Sequence, residues 1–359
     1  MSFLTKIFII CHLVTLLFGC AFAQESEKNL NLKQSQAQTQ LPPFNKARTK
    51  ENFADYVVLL KQYAKWQGID DATIKRAFQH VYFIEHVVKA DKNQPEKKLT
   101  LDDYLKNAVS PQRIQLAQKN YLQHHSALTQ ATLITQIPQT YILALWGVES
   151  AYGKYQGKED IISALSTLAF DGRREAFFVK ELISALTILQ QGHIAPSQFK
   201  GSWAGAMGQN QFMPSSFLRF AKDGDNDGII DIWHNQADVF ASIGNYLATV
   251  GWDASVTWGA KVMLPKNLPI DYAGLADEQA KSTKAWLKLG VQFVDKQKIL
   301  NNSTQSWLII PDEGSRYGYL VSSNFKTLMH WNRSYHFAVS VGMLADSLTD
   351  KSVKLPIKS

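Results

Sequence analysis

The amino-acid sequence predicts a mainly α fold with a small antiparallel β portion, an α+β protein. Three observations carry this reading. Between Phe53 and Leu133 apolar residues recur at helical spacing, as in Tyr56, Leu59, Leu60 and Tyr63 and again in Ile114, Ala117 and Tyr121. From Ile137 to Gly153 the chain is nearly all apolar, the pattern of a helix buried on most sides. Beyond residue 259 the runs Val262-Met-Leu-Pro, Val291-Gln-Phe-Val, Trp307-Leu-Ile-Ile and Tyr319-Leu-Val are short, apolar or alternating, and bounded by Gly, Pro, Asn or Asp, as strands are. The 359 residues suffice for a sizeable core, and 45% hydrophobic with 19% charged excludes a membrane bundle and a largely disordered chain.

Met1 to Ala23 reads as a secretory signal peptide: Lys6, an apolar segment from Ile7 to Gly19, then Ala21-Phe22-Ala23 as a small-x-small cleavage site. Its apolar part is shorter than the roughly 20 residues that span a bilayer. Both cysteines, Cys11 and Cys20, lie within it, so the exported chain holds no disulfide and depends on its core. Leu17-Phe18-Gly19-Cys20 also resembles a lipobox with a bulky Phe18, so lipidation at Cys20 stays open beside cleavage after Ala23. Residues 24–50, rich in Gln, Asn, Lys and Ser, read as a disordered tether.

Residues 51–135 then form a helical domain, with Gly68 and Pro111 as punctuation. The next unit, 136–258, opens on the apolar run, where Pro138 suits the first turn and Gly153 the left-handed residue past the end. Ile161 to Phe170 is helical or turn-like, Arg174 to Gln191 an amphipathic helix closed by Gly192, and Val239 to Val250 a helix closed by Gly251. Residues 259–325 are a small β subdomain around a helix from Ala280 to Leu289. Residues 326–350 return as a C-terminal helix, from about Ser334 to Leu348.

The apolar run delivers a single acid, Glu149. A carboxylate there is poorly solvated, its pKa rises, and a raised pKa suits a general acid at neutral pH. Gly147, two residues earlier, leaves room for a ligand. The competing reading is a buried ion pair with Arg173 or Arg174. Further on, Gly201 to Ser216 combines three glycines with Gln209, Asn210 and Gln211, whose amides can grip a sugar, although the same features suit a tight structural turn. Asp223-Gly-Asp-Asn-Asp-Gly-Ile-Ile-Asp231 matches the opening of an EF-hand loop: Asp223, Asp225 and Asp227 supply oxygens and Ile229 its carbonyl. The twelfth position is His234, so the last carboxylate must come from Asp238, and the alternative is a solvated acidic turn. The charge of +7 without a dense Lys/Arg run argues for an anionic polymer or surface and against nucleic acid as partner.

Taken together, Ala144-Leu-Trp-Gly-Val-Glu-Ser150 with Gly153, Arg173-Arg174, Gly205 to Ser216, Asp223 to Trp233, Asn245-Tyr246-Leu247 and Trp331-Asn-Arg-Ser334 resemble the lytic murein transglycosylases of the membrane-bound B family. Gln94-Pro95-Glu96 ahead of Asp103-Tyr104 fits as well. The resemblance implies a lysozyme-like α core and a reaction on peptidoglycan glycan strands that needs no catalytic cofactor. It places the acid/base on Glu149, structural calcium on the Asp223 loop, and substrate contacts on Ser150, Arg173, Arg174, Gln209, Gln211, Ser216, Tyr246, Trp331, Asn332, Ser334 and Phe337. Phe337 stands where the family pattern has tyrosine, which keeps aromatic stacking and loses a hydroxyl contact. One carboxylate suffices where the substrate assists: the acetamido group of N-acetylmuramic acid stabilises the transition state, and its O6 closes a 1,6-anhydro ring. A muramidase using water, or a non-catalytic peptidoglycan-binding scaffold, would share the cleft. The implied location is the periplasm, on the outer membrane if Cys20 is lipidated, with other cell-wall enzymes as further partners.

Overall fold

A computed structural model describes residues 41–93 and 99–349. The signal segment with Cys11 and Cys20, residues 24–40, and Gln94-Pro95-Glu96 lie outside the described residues.

Among the described residues six α-helices precede the apolar run: α1 (Phe53–Trp66), α2 (Asp71–Ala77), α3 (Glu85–Lys92), α4 (Leu101–Ala108), α5 (Pro111–Gln123) and α6 (His125–Thr135). Their starts are set by side-chain caps where the sequence offers them. Asp70, Thr100 and Ser110 each accept a hydrogen bond from the backbone N–H three residues on, and Pro111 takes the first position of α5. Helix α7 (Gln139–Ser150) is the apolar run, and every residue from Tyr141 to Gly147 is buried. It is apolar all round because it is packed all round, by α5, α6, α11 (Gln236–Thr249) and α14 (Tyr335–Thr349). Thus α5 and α6, read from sequence as part of a separate N-terminal unit, pack directly on the central helix.

Around this centre lie α8 (Ile161–Asp171), α9 (Glu175–Gln190), α10 (Pro214–Phe220) and α13 (Ser323–Trp331), with a two-stranded ribbon of β1 (Glu159–Asp160) and β2 (Lys200–Gly201). One continuous core runs from Phe53 to Ala345. The five-stranded antiparallel sheet has the order β4-β6-β7-β3-β5, built from β3 (Gly259–Met263), β4 (Lys281–Ser282), β5 (Gln292–Phe293), β6 (Gln305–Ile309) and β7 (Tyr317–Val321). Its period-2 alternation divides two cores. Trp307, Ile309, Tyr319 and Val321 join the main core, while Leu308, Leu320 and Val262 pack on Trp286 of α12 (Thr283–Lys288).

Three expectations need correction. The C-terminal unit read as 326–350 begins inside α13, while α14 matches the helix expected from about Ser334 to Leu348. The helix read from Ala280 begins only at Thr283, since Lys281 and Ser282 pair with β6 and Ser282 caps the helix. The end of the supposed tether is packed: Phe44 meets Tyr56 and Phe170 edge-on, and Arg48 donates to the Phe170 carbonyl at 2.7 Å and pairs with Glu175 at 2.6 Å. Composition is blind to such anchoring because two residues carry it.

Candidate active site

Helix α7 ends in an unusual way. Ala151, Tyr152 and Gly153 all adopt left-handed backbone conformations, so the chain turns sharply straight after Glu149 and Ser150. The turn is locked from below by Ser150, which is fully buried, donates to the Trp146 carbonyl at 3.2 Å and accepts from the Gly153 N–H at 3.0 Å. Gln209, also buried, accepts from the Trp146 indole at 2.7 Å and donates to the Trp233 carbonyl at 2.9 Å. A side chain at Gly153 would strike Gln209, and one at Gly147 would strike the Tyr152 ring. Gly147 therefore makes room for Tyr152, where the sequence reading expected a ligand. Ser150 and Gln209, expected to touch substrate, hold the turn that presents Glu149.

Glu149 itself is partly exposed at the helix end. Its Oε1 accepts a 2.6 Å hydrogen bond from the indole N–H of Trp331, the last residue of α13. Burial pushes its carboxyl up to about 7, and the Trp331 hydrogen bond opposes the rise without cancelling it. The ion pair with Arg173 or Arg174 does not form. Both arginines bind the buried Asp91 of α3 instead, Arg173 through Nε at 2.9 Å and through the Asp91 carbonyl at 2.7 Å. They thus join α3 to the start of α9, and their partly exposed side chains line a cavity of about 870 Å³.

Trp331 is held by a stack of rings. Phe212 lies 5.2 Å and Tyr246 4.6 Å from it between centroids, and Phe220 continues the stack behind Tyr246 at 4.3 Å. The Tyr246 hydroxyl donates to the His330 carbonyl at 3.0 Å and lies 2.8 Å from His330 Nδ1. Burial pushes the Tyr246 phenol up to about 12. Tyr246 therefore buttresses Trp331, with little surface of its own for a sugar. Phe212 closes a tight hairpin with Met207, and Gln211 sits at its bend with a left-handed backbone. The Gln211 amide N–H₂ donates to the Gly208 carbonyl at 2.8 Å and the Gln156 carbonyl at 3.3 Å, and its Oε1 has no partner among the described residues. Ser216, partly exposed in the first turn of α10, has a hydroxyl likewise unpartnered among the described residues. Behind it, the buried Glu181 accepts from the N–H and hydroxyl of Ser215 at 2.9 and 2.7 Å.

The remaining expected contacts divide. Asn332 is exposed with its amide uncommitted, whereas Ser334 accepts from the Phe337 N–H at 3.3 Å and starts α14. Phe337 is 5% exposed and belongs to the core, so it offers no stacking face. Two residues without an assigned role reach the site. Tyr104 of α4, edge-on to His336 at 5.7 Å, is close enough for the Glu149 charge to raise its phenol, although burial raises it more. Arg113 of α5 donates to the Gly147 carbonyl at 2.9 Å. Both line a cavity of about 270 Å³ together with Leu99, Asn107, Ala108 and Val148, the residue next to Glu149. No local sequence signal marks Arg113, which reads as one more polar residue on an amphipathic helix.

In the acidic loop, carboxylate oxygens of Asp223, Asp225 and Asp227 lie within 4.8 Å of one another. Ligands on a common calcium at about 2.3–2.6 Å lie at most roughly 5 Å apart, so the three can share one ion. The sharp turn is made at Asn226 and Gly228, both left-handed, and Asp223 accepts from their N–H groups at 2.6 and 2.9 Å. These features fit a calcium loop. Asp238 does not join the three. It is fully buried, with one oxygen on the Gly224 N–H and the other on the Asp231 N–H, both at 2.7 Å, and burial pushes its carboxyl up to about 6. Ile229 points its side chain outward, 41% exposed.

Comparison with known proteins matches residues 52–346 to the transglycosylase SLT domain. The membrane-bound lytic murein transglycosylase B of Escherichia coli (strain K12) is 32% identical over 247 residues, which cover 68% of this chain and 66% of that enzyme, just under two thirds of its length. SltB3 from Pseudomonas aeruginosa, solved in complex with NAG-anhNAM-pentapeptide, superposes with a TM-score of 0.79 at 37% identity, covering 83% of this chain and 80% of that one. The Escherichia coli lytic transglycosylase Slt35, solved in complex with calcium, gives a TM-score of 0.70 at 28% identity over 84% and 93%. The lysozyme-like α fold with a small antiparallel sheet is therefore the architecture of this chain.

Proposed function

The chain belongs to the transglycosylase SLT domain family, and from that premise we propose that it cleaves the MurNAc-GlcNAc β-1,4 bond of peptidoglycan with formation of 1,6-anhydro-MurNAc ends. The observation that carries the reading is the state of Glu149: a carboxyl with a pKa of about 7, raised by burial, at the end of a rigid helix. At neutral pH both of its protonation states are populated, which is what a residue serving as acid and then base requires. It first protonates the glycosidic oxygen, and the GlcNAc O4 leaves as a hydroxyl. The acetamido carbonyl of MurNAc stabilises the positive charge at C1. Glu149, now a carboxylate, takes the proton from the O6 hydroxyl as O6 bonds to C1, so atoms and charge balance without water.

Two further facts support one carboxylate over two. Among the described residues no acid contributes to the Glu149 shift, whereas paired glycosidase carboxyls stand about 5–10 Å apart and act on each other. The relative SltB3 is solved with an anhydro-sugar ligand. A scaffold without catalysis would have no use for a carboxyl that burial makes costly to ionise. Trp331, Gln211, Ser216 and Asn332 are the groups offered to the glycan. Structural calcium, bound in the relative Slt35, would be held here by Asp223, Asp225 and Asp227. The Ile229 carbonyl would add a further oxygen, while Asp238 fastens the loop from behind through the Gly224 and Asp231 N–H groups. Peptidoglycan as substrate implies export, so the leader directs the chain to the periplasm. Among the described residues no helix is long and apolar enough to cross a membrane.

The test is analysis of muropeptides released from purified sacculi. Anhydro ends, lighter than hydrolysis products by one water and not reducible, are expected. Reducible muramic acid ends would make the protein a hydrolase instead. Glu149→Gln should cut release by at least the ~10⁴-fold upper range of general acid–base catalysis, since one residue serves both half-reactions.

A further inference from the structure

Arg113 is a cation without an anion. Among the described residues it forms no ion pair, and its hydrogen bond is one N–H of its five to the Gly147 carbonyl. It is half-buried, where a guanidinium gives up part of its hydration and gains most from a carboxylate that fits its planar fork. Asp91 already takes Arg173 and Arg174, and Lys106 has Asp103. Arg113 and Asn107 line both the 270 Å³ cavity beside Val148 and an adjoining one of about 420 Å³, so an open groove leads outward from Glu149 across α4 and α5. Tyr104 forms its wall on the Glu149 side.

From this we infer that the groove is a recognition site for a carboxylate carried on the muramic acid side of the scissile bond, with Arg113 as the anion-binding residue and Asn107 as an amide partner. The inference rests on the proposed substrate. Muramic acid carries an acid through its O3 lactyl ether, either as the free lactyl carboxylate or as the carboxylates of an attached peptide, and GlcNAc carries none. An anion held here would set the register of the strand, so that Glu149 meets the bond after muramic acid and not the one before it.

The test reads binding, so that it stands apart from cleavage. Glu149→Gln protein, with and without Arg113→Gln, is equilibrated with peptide-bearing glycan strands, with strands stripped of peptide by an amidase, and with chitooligosaccharide, which has no carboxylate. Glutamine at 113 keeps a donor for the Gly147 carbonyl, and equal melting temperatures of the two proteins establish that the fold survives. Loss of a charged hydrogen-bonded pair should weaken binding to a carboxylate-bearing polymer by about 10–100-fold, with chitooligosaccharide affinity unchanged. Loss on peptide-bearing strands alone assigns the peptide, and loss on both polymers assigns the lactyl group. Equal weakening on all three ligands, or none on any, overturns the site. Failure of the activity would instead appear as sacculi left intact by the wild-type enzyme, whatever the binding result.

Discussion

Glu149 is useful because it is uncomfortable. Its native carboxyl keeps its proton to a pH of about 7 while the unfolded chain releases it near 4.5. Between those values the native state binds the extra proton, so stability is full below 4.5 and is lost as pH rises through 7. Glu149→Gln abolishes that titration and can still accept the Trp331 N–H. The variant should match wild type at pH 4 and exceed it by about 2–3 kcal/mol at pH 8, a value discounted for partial exposure. Urea midpoints at the two pH values measure this, and a variant weaker than wild type at pH 8 would show that ionised Glu149 is favourably held. The acid was legible in the sequence because it is alone in an apolar run. Its neighbours were not: Ser150 and Gln209 carry the polar atoms of sugar-binding residues, yet both face inward. Periodicity says which residues a helix buries, whereas the partners of a buried amide are decided by chain turns far away in sequence.

At the scale of elements, one loop of the sheet fastens a helix of the site. Asp312, between β6 and β7, accepts from the Leu101 N–H with both oxygens at 3.0 and 3.1 Å and approaches His336 at 3.6 Å. It therefore fastens the start of α4, which carries Tyr104 beside Glu149. Asp312→Ala should cost about 1–2 kcal/mol, the range of a lost helix-end acceptor, and slow muropeptide release modestly, while Asp312→Asn restores most of both. An unchanged urea midpoint would mean that α4 is held by its other contacts. The longer helices were readable from several turns of apolar periodicity, helped at some starts by a capping residue such as Ser110 or Asn235. The two-residue strands β1, β2 and β4 were not, since two residues display no period and their pairing is fixed by partners such as Gly201 and Ser306, whereas β5 lies in the Val291-Gln-Phe-Val run read as a strand. Arg48 and Phe44 illustrate the same limit, as ordered residues inside a stretch whose composition is that of a linker.

Across the whole molecule, the acidic loop and helix α7 form one mechanical unit. The end of the loop hands its Ile232 carbonyl to the Gln209 N–H at 2.8 Å and its Trp233 carbonyl to the side chains of Gln209 and Gln156. Gln209 in turn holds the Trp146 indole, one turn before Glu149 on α7. A cation that orders the loop thus reaches the carboxyl through a single side chain. Without it, Asp223 and Asp225 add to the burial that keeps Asp238 hard to ionise, and repulsion works against the closed loop. Because an ion bound to the native state alone stabilises by mass action, calcium at about 100-fold over its Kd adds about 2.7 kcal/mol. Chelator-stripped protein should therefore gain melting temperature with millimolar calcium, and Asp225→Asn should blunt the gain. Glu149→Gln should keep it in full, since the site lies outside the reacting groups. Stripping should also lower muropeptide release, as Gln209 loses its anchor. No calcium-dependent rise in melting temperature would leave the three aspartates as a solvated acidic turn. A rise without any change in release would confine the ion to stability and break the proposed link to α7.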